Sequence, residues 1–464
     1  MLKHLPKLLV AIAILSITAC ASKKYAKQAQ KYAEAGLFRD AAQMYYQSVA
    51  ANPKNIDAKM GLQRTGQLLL QEKLDAFKTH YDNNATKEAV YAFIDAQNYF
   101  NQIKNVGVML LFPSEQNVYF NDVKDKYLQS IYSQGLQTLD AEDFASSEKT
   151  FSEILSIDPA YKDSKTHFTT AKYEPLYRKA VEEFETGLYR TAYWGFHHII
   201  GGTGNYKDAI ARRAEALDNA IITVAVVPFY QSGYSASGYA QILRTKTINE
   251  LNQLKSPFYK VVTDEALNSL PADGRKSLPK ELLPFLSTYS QSISAHAVLT
   301  GRILGINERN EPTKTTEKRG YLKRVEEITD KTTGEKKKVT YYDKVLYHEY
   351  YQRNQSSVSF EYTLLDVKTG GILVTDVVTL SNESTVNYAS YKGDTKRLIP
   401  GYWKQSDKDS PEDVVNDNND KISALQSLLN ATREIKTAQT LTSELFTETS
   451  RRVASSIENY NPEK

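Results

Sequence analysis

Seven histidines and one cysteine are the imidazole and thiol donors of this chain. His197 and His198 are neighbours on a helical stretch, so their rings project ~100° apart and cannot share a metal. With no cysteine beside Cys20, a thiolate zinc site is excluded. Gly201-Gly202-Thr203-Gly204 is glycine-rich, but it falls between helices rather than after a strand, and so reads as a turn and not a phosphate cradle. Glu182 and Glu183 belong to a charged helix face. The acidic run from Asp413 to Asp420 lacks the glycine and distal glutamate that a calcium loop requires. No G-x-S-x-G, P-loop or H-E-x-x-H pattern occurs. The expectation is a chain that is not an enzyme, with no catalytic residue, no metal and no cofactor. One chemically distinctive group is left, the Cys20 thiol.

Lys3 and Lys7 precede the uncharged run LLVAIAILSI at 8–17, and Thr18-Ala19-Cys20 ends it with small residues. The run is shorter than the ~20 apolar residues a membrane-spanning helix needs. It has the length, basic flank and small-residue exit of a secretory signal. Ile17-Thr18-Ala19-Cys20 resembles the lipobox of bacterial lipoproteins. The resemblance implies cleavage between Ala19 and Cys20, removal of residues 1–19 as a signal peptide, and diacylglycerol on the Cys20 sulfur. A third acyl chain, such as palmitate, would follow on the new amino group. Two or three chains hold a protein to a bilayer where one does not. No Asp follows Cys20 and no acidic run succeeds it, which favours the periplasmic face of the outer membrane. The membrane, reached through this anchor, is the first expected partner.

The formal charge is +3, so no electrostatic footprint for nucleic acid is present. Without a disulfide, the folded part depends on packing alone. Tyrosine is abundant, at 32 residues against two tryptophans. Its ring and hydroxyl together suit partner contacts, and Tyr25, Tyr32, Tyr45, Tyr341 and Tyr342 are the candidates for them.

From residue 23 to about 219 apolar residues recur at helical spacing, in segments paired across short polar turns. Tyr25, Tyr32, Ala41, Tyr45 and Pro53 fall at the spacings of the tetratricopeptide pattern. Ala41 lets one helix approach the other, Tyr45 fills the groove one turn on, and Pro53 forces the exit. Stretches 68–81 and 87–103 form a degenerate pair with Ala89 and Phe93. Gly135, Ser147, Phe151 and Pro159 belong to a pair over 123–172, and Ala192 and Phe196 to one over 173–219. The phrases Tyr161-Lys162-Asp163-Ser164 and Tyr206-Lys207-Asp208-Ala209 echo each other at helix entries. There the Asp is expected to cap the helix and the Tyr to pack back. These residues resemble tetratricopeptide (TPR) repeats, and the resemblance implies a solenoid that binds proteins.

At Ile221 the period changes. Strands are expected at 222–229, 258–262, 297–303, 358–367 and 372–380, the last two joined at Lys368-Thr369-Gly370-Gly371. A Gly/Ser-rich loop spans 232–238. Helices are expected at 239–254, 281–294 and 444–457. The phrases VAVVPF (224–229), VLTGRI (298–303) and LLDVKTGGIL (364–373) resemble the family of the curli secretion lipoprotein (CsgG-like), to which the activator LpoB and the amino-terminal domain of TolB are related. The predicted fold class is α+β: an all-α helical-hairpin (TPR-like) solenoid, then an α/β sandwich with a mixed sheet and an inserted β-hairpin.

The domains are expected at 20–220 and 221–392, followed by a polar loop at 393–420 and a helical part at 421–464 that packs on the α/β domain. An insertion at 305–357 carries the hairpin, turning at Thr332-Thr333-Gly334-Glu335. A barrel strand needs ~9–11 residues with one lipid-facing apolar side. This hairpin has Lys, Arg or Glu on both faces, so it is expected in water. The functional expectation is an anchored periplasmic interaction protein serving envelope assembly or secretion, with envelope proteins as partners. The competing expectation is a subunit of an oligomeric CsgG-like export channel.

Overall fold

The computed structural model describes residues 21–231, 238–329 and 335–464. The predicted signal peptide, Ala19, Cys20, the loop at 232–237 and most of the hairpin turn (330–334) lie outside the described residues. The fold is α+β, as the sequence patterning implies. By their contacts the residues form two units, one of 21–181 with 198–207, the other of 182–197 with 208–464. The expected boundary at 220 is therefore corrected. Residues 182–197 and 208–220 group with the second unit although their period is helical.

The helices are α1 (21–34), α2 (Phe38–Ala51), α3 (Ile56–Asp82), α4 (Thr86–Asn105), α5 (Gln116–Asp140), α6 (Phe144–Ile157), α7 (Ser164–Glu185), α8 (Tyr189–Thr203) and α9 (Ala209–Ala220). Five turns use one backbone device. Gly36, Asn84, Gly107, Glu142 and Gly187 each take positive φ just past a helix. At Glu142 its N–H reaches the Leu139 carbonyl and that of Asp143 reaches Thr138, and the other four repeat this. This is a left-handed cap that satisfies terminal carbonyls.

The small–aromatic pairs are core residues: Ala41, Ala89, Phe93, Ser147, Phe151, Ala192 and Phe196 have no exposed surface. Tyr45 is half-buried, and a Cβ on Gly61 would stand 2.4 Å from its ring. Phe151 occupies the matching place against Gly135, at 2.9 Å.

The echoed phrases sit 45 positions apart, 206 less 161, and are built alike. Lys162 and Lys207 both have positive φ. Each ammonium lies over a ring two helices back, Tyr132 of α5 at 4.5 Å and Tyr177 of α7 at 4.8 Å. Tyr161 and Tyr206 pack back on those same rings, each at 5.9 Å. The capping expectation fails at Asp208, whose side chain makes no cap hydrogen bond and instead accepts from Arg212 Nε at 3.2 Å.

In the second unit β1 (Ile222–Val226) is parallel to both β3 (Tyr259–Val261) and β4 (Ala297–Asn310). A two-residue β2 (Tyr230–Gln231) joins β4. Helices α10 (Tyr239–Asn252), α11 (Glu265–Asn268) and α12 (Pro279–Tyr289) connect them. Then β4 pairs antiparallel with β6 (Lys336–Asp366), and β6 with β7 (Ile372–Ser390). Alternation sorts the side chains. Val224, Val226, Leu299 and Leu364 face Leu243 and Leu251 of α10 and Leu445, Val453 and Ile457 of α14 (Ala438–Asn459). Ala225, Val227, Val298 and Leu365 face Leu267, Leu282 and Leu286. The sheet is thus covered by helices on both faces. The KTGG turn forms as expected, with Gly370 at φ +70° and Asp366 Oδ1 accepting from Thr369.

The region 305–357 is less an insertion than a continuation. β4 runs on to Asn310, with a register shift between Ile303 and Gly305. β6 is 31 residues long, and β5 (Lys314–Thr329) pairs with it from Lys314↔Tyr351 to Thr329↔Lys336. The polar loop at 393–420 is also corrected. It contains β8 (Leu398–Tyr402), hydrogen-bonded to β5 at Gly320–Leu322, and β9 (Val414–Val415). A further helix, α13 (Asn419–Leu429), follows, and Leu425 packs with Tyr347, Ala389 and Leu398.

Candidate interaction surfaces

The five candidate tyrosines do not form one site. Tyr25 and Tyr32 are half-buried on α1, and the Tyr32 hydroxyl accepts from Gln28. Tyr45 is spent on packing against Val49 and Leu62, and burial raises its phenol pKa. Tyr341 and Tyr342 belong to the β5–β6 ribbon in the second unit, and as strand neighbours they face opposite sides.

Each side of the ribbon has its own chemistry. On one, the Arg324 guanidinium lies 5.1 Å from the Tyr341 ring and its Nε donates to Asp343 at 3.2 Å. On the other, Asp417 takes hydrogen bonds from the Tyr342 hydroxyl and from Lys323 Nζ, the latter at 2.8 Å. Those bonds hold the Asp417 carboxyl below the usual carboxylate range and raise both Lys323 and Tyr342. All three groups therefore keep their neutral-pH forms.

The segment carrying Asp417 is a strap across the ribbon. Lys344 is almost buried, and its ammonium meets Asp413 at 2.7 Å and the carbonyls of Gln405 and Lys408. Hydrogen bonds to Asp413 and Asp409 raise its pKa. Trp403 is buried and donates Nε1–H to the Gly320 carbonyl at 3.1 Å, while Arg319 stacks on its ring at 4.9 Å. Sequence reasoning missed this strap because its anchoring residues are polar or scattered. Trp403 was the available signal, a large apolar side chain in an otherwise polar stretch.

Beside the strap, Lys323, Arg324, Val325, Lys396, Arg397 and Ile422 line a shallow groove of about 580 Å³. Its walls are basic and its floor, Leu398 and Ile399, is apolar and buried. Val325 in its lining is exposed, as is Ile328 farther along β5. Such a surface can take an extended segment that brings carboxylates and apolar side chains together.

In the first unit the densest polar cluster is centred on Glu174. Its carboxylate accepts from Tyr206 at 2.7 Å, Lys207 at 2.7 Å and Arg178 at 3.0 Å, and Arg178 also grips Glu142 with two 2.9 Å bonds. Burial alone would raise the Glu174 pKa, but these donors outweigh it and bring it to about 2. Every charge in the cluster is compensated, which marks it as structural. The paired histidines are exposed on α8. Among the described residues no group of three or more His, Cys, Asp or Glu is placed to hold a metal. No described helix is long and apolar enough to cross a membrane.

No family model matches the chain, and no curated protein matches it.

Proposed function

We propose that this chain is a lipid-anchored interaction protein on the periplasmic face of the outer membrane, an accessory factor in envelope assembly or secretion. The observation that carries the reading is the pattern at 3–20: a basic start, a ten-residue apolar run, then Ile17-Thr18-Ala19-Cys20. In a chain whose described helices include no membrane span, acyl chains on Cys20 would supply the hold on the bilayer. The body behind it supplies surfaces rather than reactive clusters. Helical hairpins and the basic, apolar-floored groove of the ribbon both suit protein partners.

A channel subunit is the second reading. β5 and β6, at 16 and 31 residues, exceed the length a barrel strand needs. Against it stand Arg324, Glu326 and Glu327 with Lys336, Lys337 and Lys338, which put charge on both faces of the hairpin. Their cost in hydrocarbon is about 2–4 kcal/mol for each Lys or Arg at the midplane.

The test has two arms. Mass spectrometry of the mature amino terminus is expected to show an acylated Cys20; an unmodified cysteine or a different start would end the anchor proposal. Crosslinked membranes are expected to yield a specific protein partner, depleted by Val325→Asp with Arg397→Glu. Recovery of no partner, or of rings by electron microscopy of the detergent-purified protein, would overturn the interaction reading, the latter in favour of the channel.

A further inference from the structure

The first described residues leave no slack. Helix α1 begins at 21, and Ser22 is fully buried. Its Oγ donates to the Ser48 carbonyl at 2.8 Å and accepts from Asn55 Nδ2 at 3.0 Å, while Ser48 Oγ donates back to the Ser22 carbonyl at 2.7 Å. Cys20 is two peptide units from this clamp, a reach of roughly 7 Å. Acyl chains on it would hold the near end of the helical array against the bilayer, where a long linker would let the body float free.

That end is built for such contact. Asn55 caps α3, accepting from Ala58 N, and Ile56 and Met60 follow on one ridge of the helix, 69% and 65% exposed. The ridge continues through Gln63 and Gln67. These two amides bind the extended segment at 108–112 along the helix: Gln63 donates to the Met109 carbonyl at 3.3 Å, and Gln67 exchanges bonds with Leu111 at 3.0 and 2.8 Å. Alternation then buries Val108 and Leu110 and leaves Met109 and Leu111 outward, 61% and 79% exposed. The result is a stripe of exposed apolar side chains, Ile56, Met60, Met109 and Leu111, set along one ridge with the amides of Gln63 and Gln67 between them and starting beside the anchor. Charge accompanies it. Residues 21–64 hold eight Lys and Arg against three Asp and Glu, in a chain whose whole formal charge is only +3. Lys23, Lys24 and Lys54 are exposed at the anchored end itself.

We infer that this stripe docks on an anionic phospholipid surface, with Ile56, Met60, Met109 and Leu111 entering the headgroup–acyl boundary and the lysines meeting phosphate. Apolar burial combined with basic flanks is the chemistry of an interfacial helix. The inference rests on acylation of Cys20 for its strength, not for its surface. Docking fixes the first unit lengthwise on the membrane, rather than leaving it to swivel on a tether.

The acylated full chain, reconstituted in phosphatidylethanolamine–phosphatidylglycerol vesicles, tests it. With Cys20 modified, Met60→Cys, Leu111→Cys and Leu37→Cys each offer one free thiol for a nitroxide. Leu37 sits in the α1–α2 turn, at the opposite end of the hairpin from Ser22 and Asn55. Labels at 60 and 111 should be shielded from a water-soluble relaxation agent at least about threefold relative to 37, and exposed to lipid-dissolved oxygen. Equal aqueous exposure at all three positions, with acylated Cys20 confirmed by mass, overturns the inference and leaves the anchor standing. Shielding that persists without lipid would assign the stripe to a second copy and overturn it as well. Should Cys20 prove unmodified, the unacylated chain must still float with phosphatidylglycerol vesicles at low salt. Ile56→Asp with Met60→Asp must abolish that flotation, and its absence in the parent chain overturns the docking proposal itself.

Discussion

The ring of Phe360 lies across the bare Cα of Gly301, so that a Cβ added there would stand 2.2 Å from the ring tip. Gly301 on β4 is paired with Tyr362 of β6, so Phe360 is its diagonal neighbour on the same face, and Phe229 closes the third side with its ring centre 5.1 Å from that of Phe360. A methyl cannot fit without moving a fully buried ring. Gly301→Ala is expected to destabilise the second unit by about 1–3 kcal/mol, the usual cost of overpacking. Adding Phe360→Leu should recover part of that loss, because the shorter side chain frees the space. Urea titration of the two single variants and the double variant measures the coupling; strict additivity would show that the contact is not what decides the cost.

Glu174 makes the stability of the first unit depend on acid. Tyr206, Lys207 and Arg178 hold its carboxyl at about 2, against an ordinary 4.5. A depressed carboxyl contributes its stability above the unfolded-state value and loses it as pH falls. The loss should therefore begin near pH 4.5 and be complete near 2. Glu174→Gln keeps the shape but removes the charge, and should cost on the order of 1–2 kcal/mol at neutral pH. The variant's stability should also vary less between pH 5 and 3 than that of the parent, as followed by circular dichroism.

The strap at 403–417 should be releasable without unfolding the sheet beneath it. Trp403→Ala removes the Nε1–H bond to Gly320 and the surface on which Arg319 stacks. Truncating a buried tryptophan costs about 3–5 kcal/mol in a core. Here that cost should fall mainly on the strap and on β8. The expected outcome is fast proteolytic nicking between 404 and 413 with the β4–β6–β7 sheet intact. Lys344→Ala, which frees Asp413 and two carbonyls, should act in the same direction. Protection of this segment equal to the parent's would contradict the anchoring role of both residues.

What the sequence disclosed follows from where each signal is written. Helix pairing was legible because Ala41, Ala89, Phe93, Phe151, Ala192 and Phe196 are core residues at fixed spacing. The echo at 161–164 and 206–209 marked a real structural repeat, since its Tyr and Lys pack on equivalent rings. Central strands were legible where both faces are buried, as at 224–227. The long β6 was hidden because most of its length beyond the sheet is held by backbone bonds to β5, and those demand no particular side chains. The strap was hidden for a related reason. Lys344, Asp413 and Asp417 look like solvent-facing charges until tertiary structure brings them together. Abundance of tyrosine does not distinguish a packing ring such as Tyr45 from a contact ring. The division near 181 was also unreadable, since α7 and α8 are periodic throughout.

Arg190 and Glu463 provide the last test, at the tail of the second unit. The Glu463 carboxylate accepts the backbone N–H groups of Arg190 and Thr191 and the Thr191 hydroxyl, the last two at 3.1 and 2.8 Å. These are donors of the first turn of α8, so a residue far along the chain serves as that helix's cap, with its negative charge at the favourable end of the dipole. Arg190 is buried between the rings of Phe258 and Tyr259, each 4.9 Å from its guanidinium carbon, and donates to the Tyr460 carbonyl at 2.8 Å. Glu463→Ala is expected to cost about 1 kcal/mol, the ordinary worth of a cap. Arg190→Ala removes the stacking as well and should cost more. Deleting residues 460–464 should equal Glu463→Ala plus the loss of the Tyr460 carbonyl. Hydrogen exchange at the amides of 190–193 reads the cap directly: those amides should exchange faster in all three variants, while α10 and α14 stay protected. Unchanged exchange in Glu463→Ala would show that the tail does not hold the start of α8.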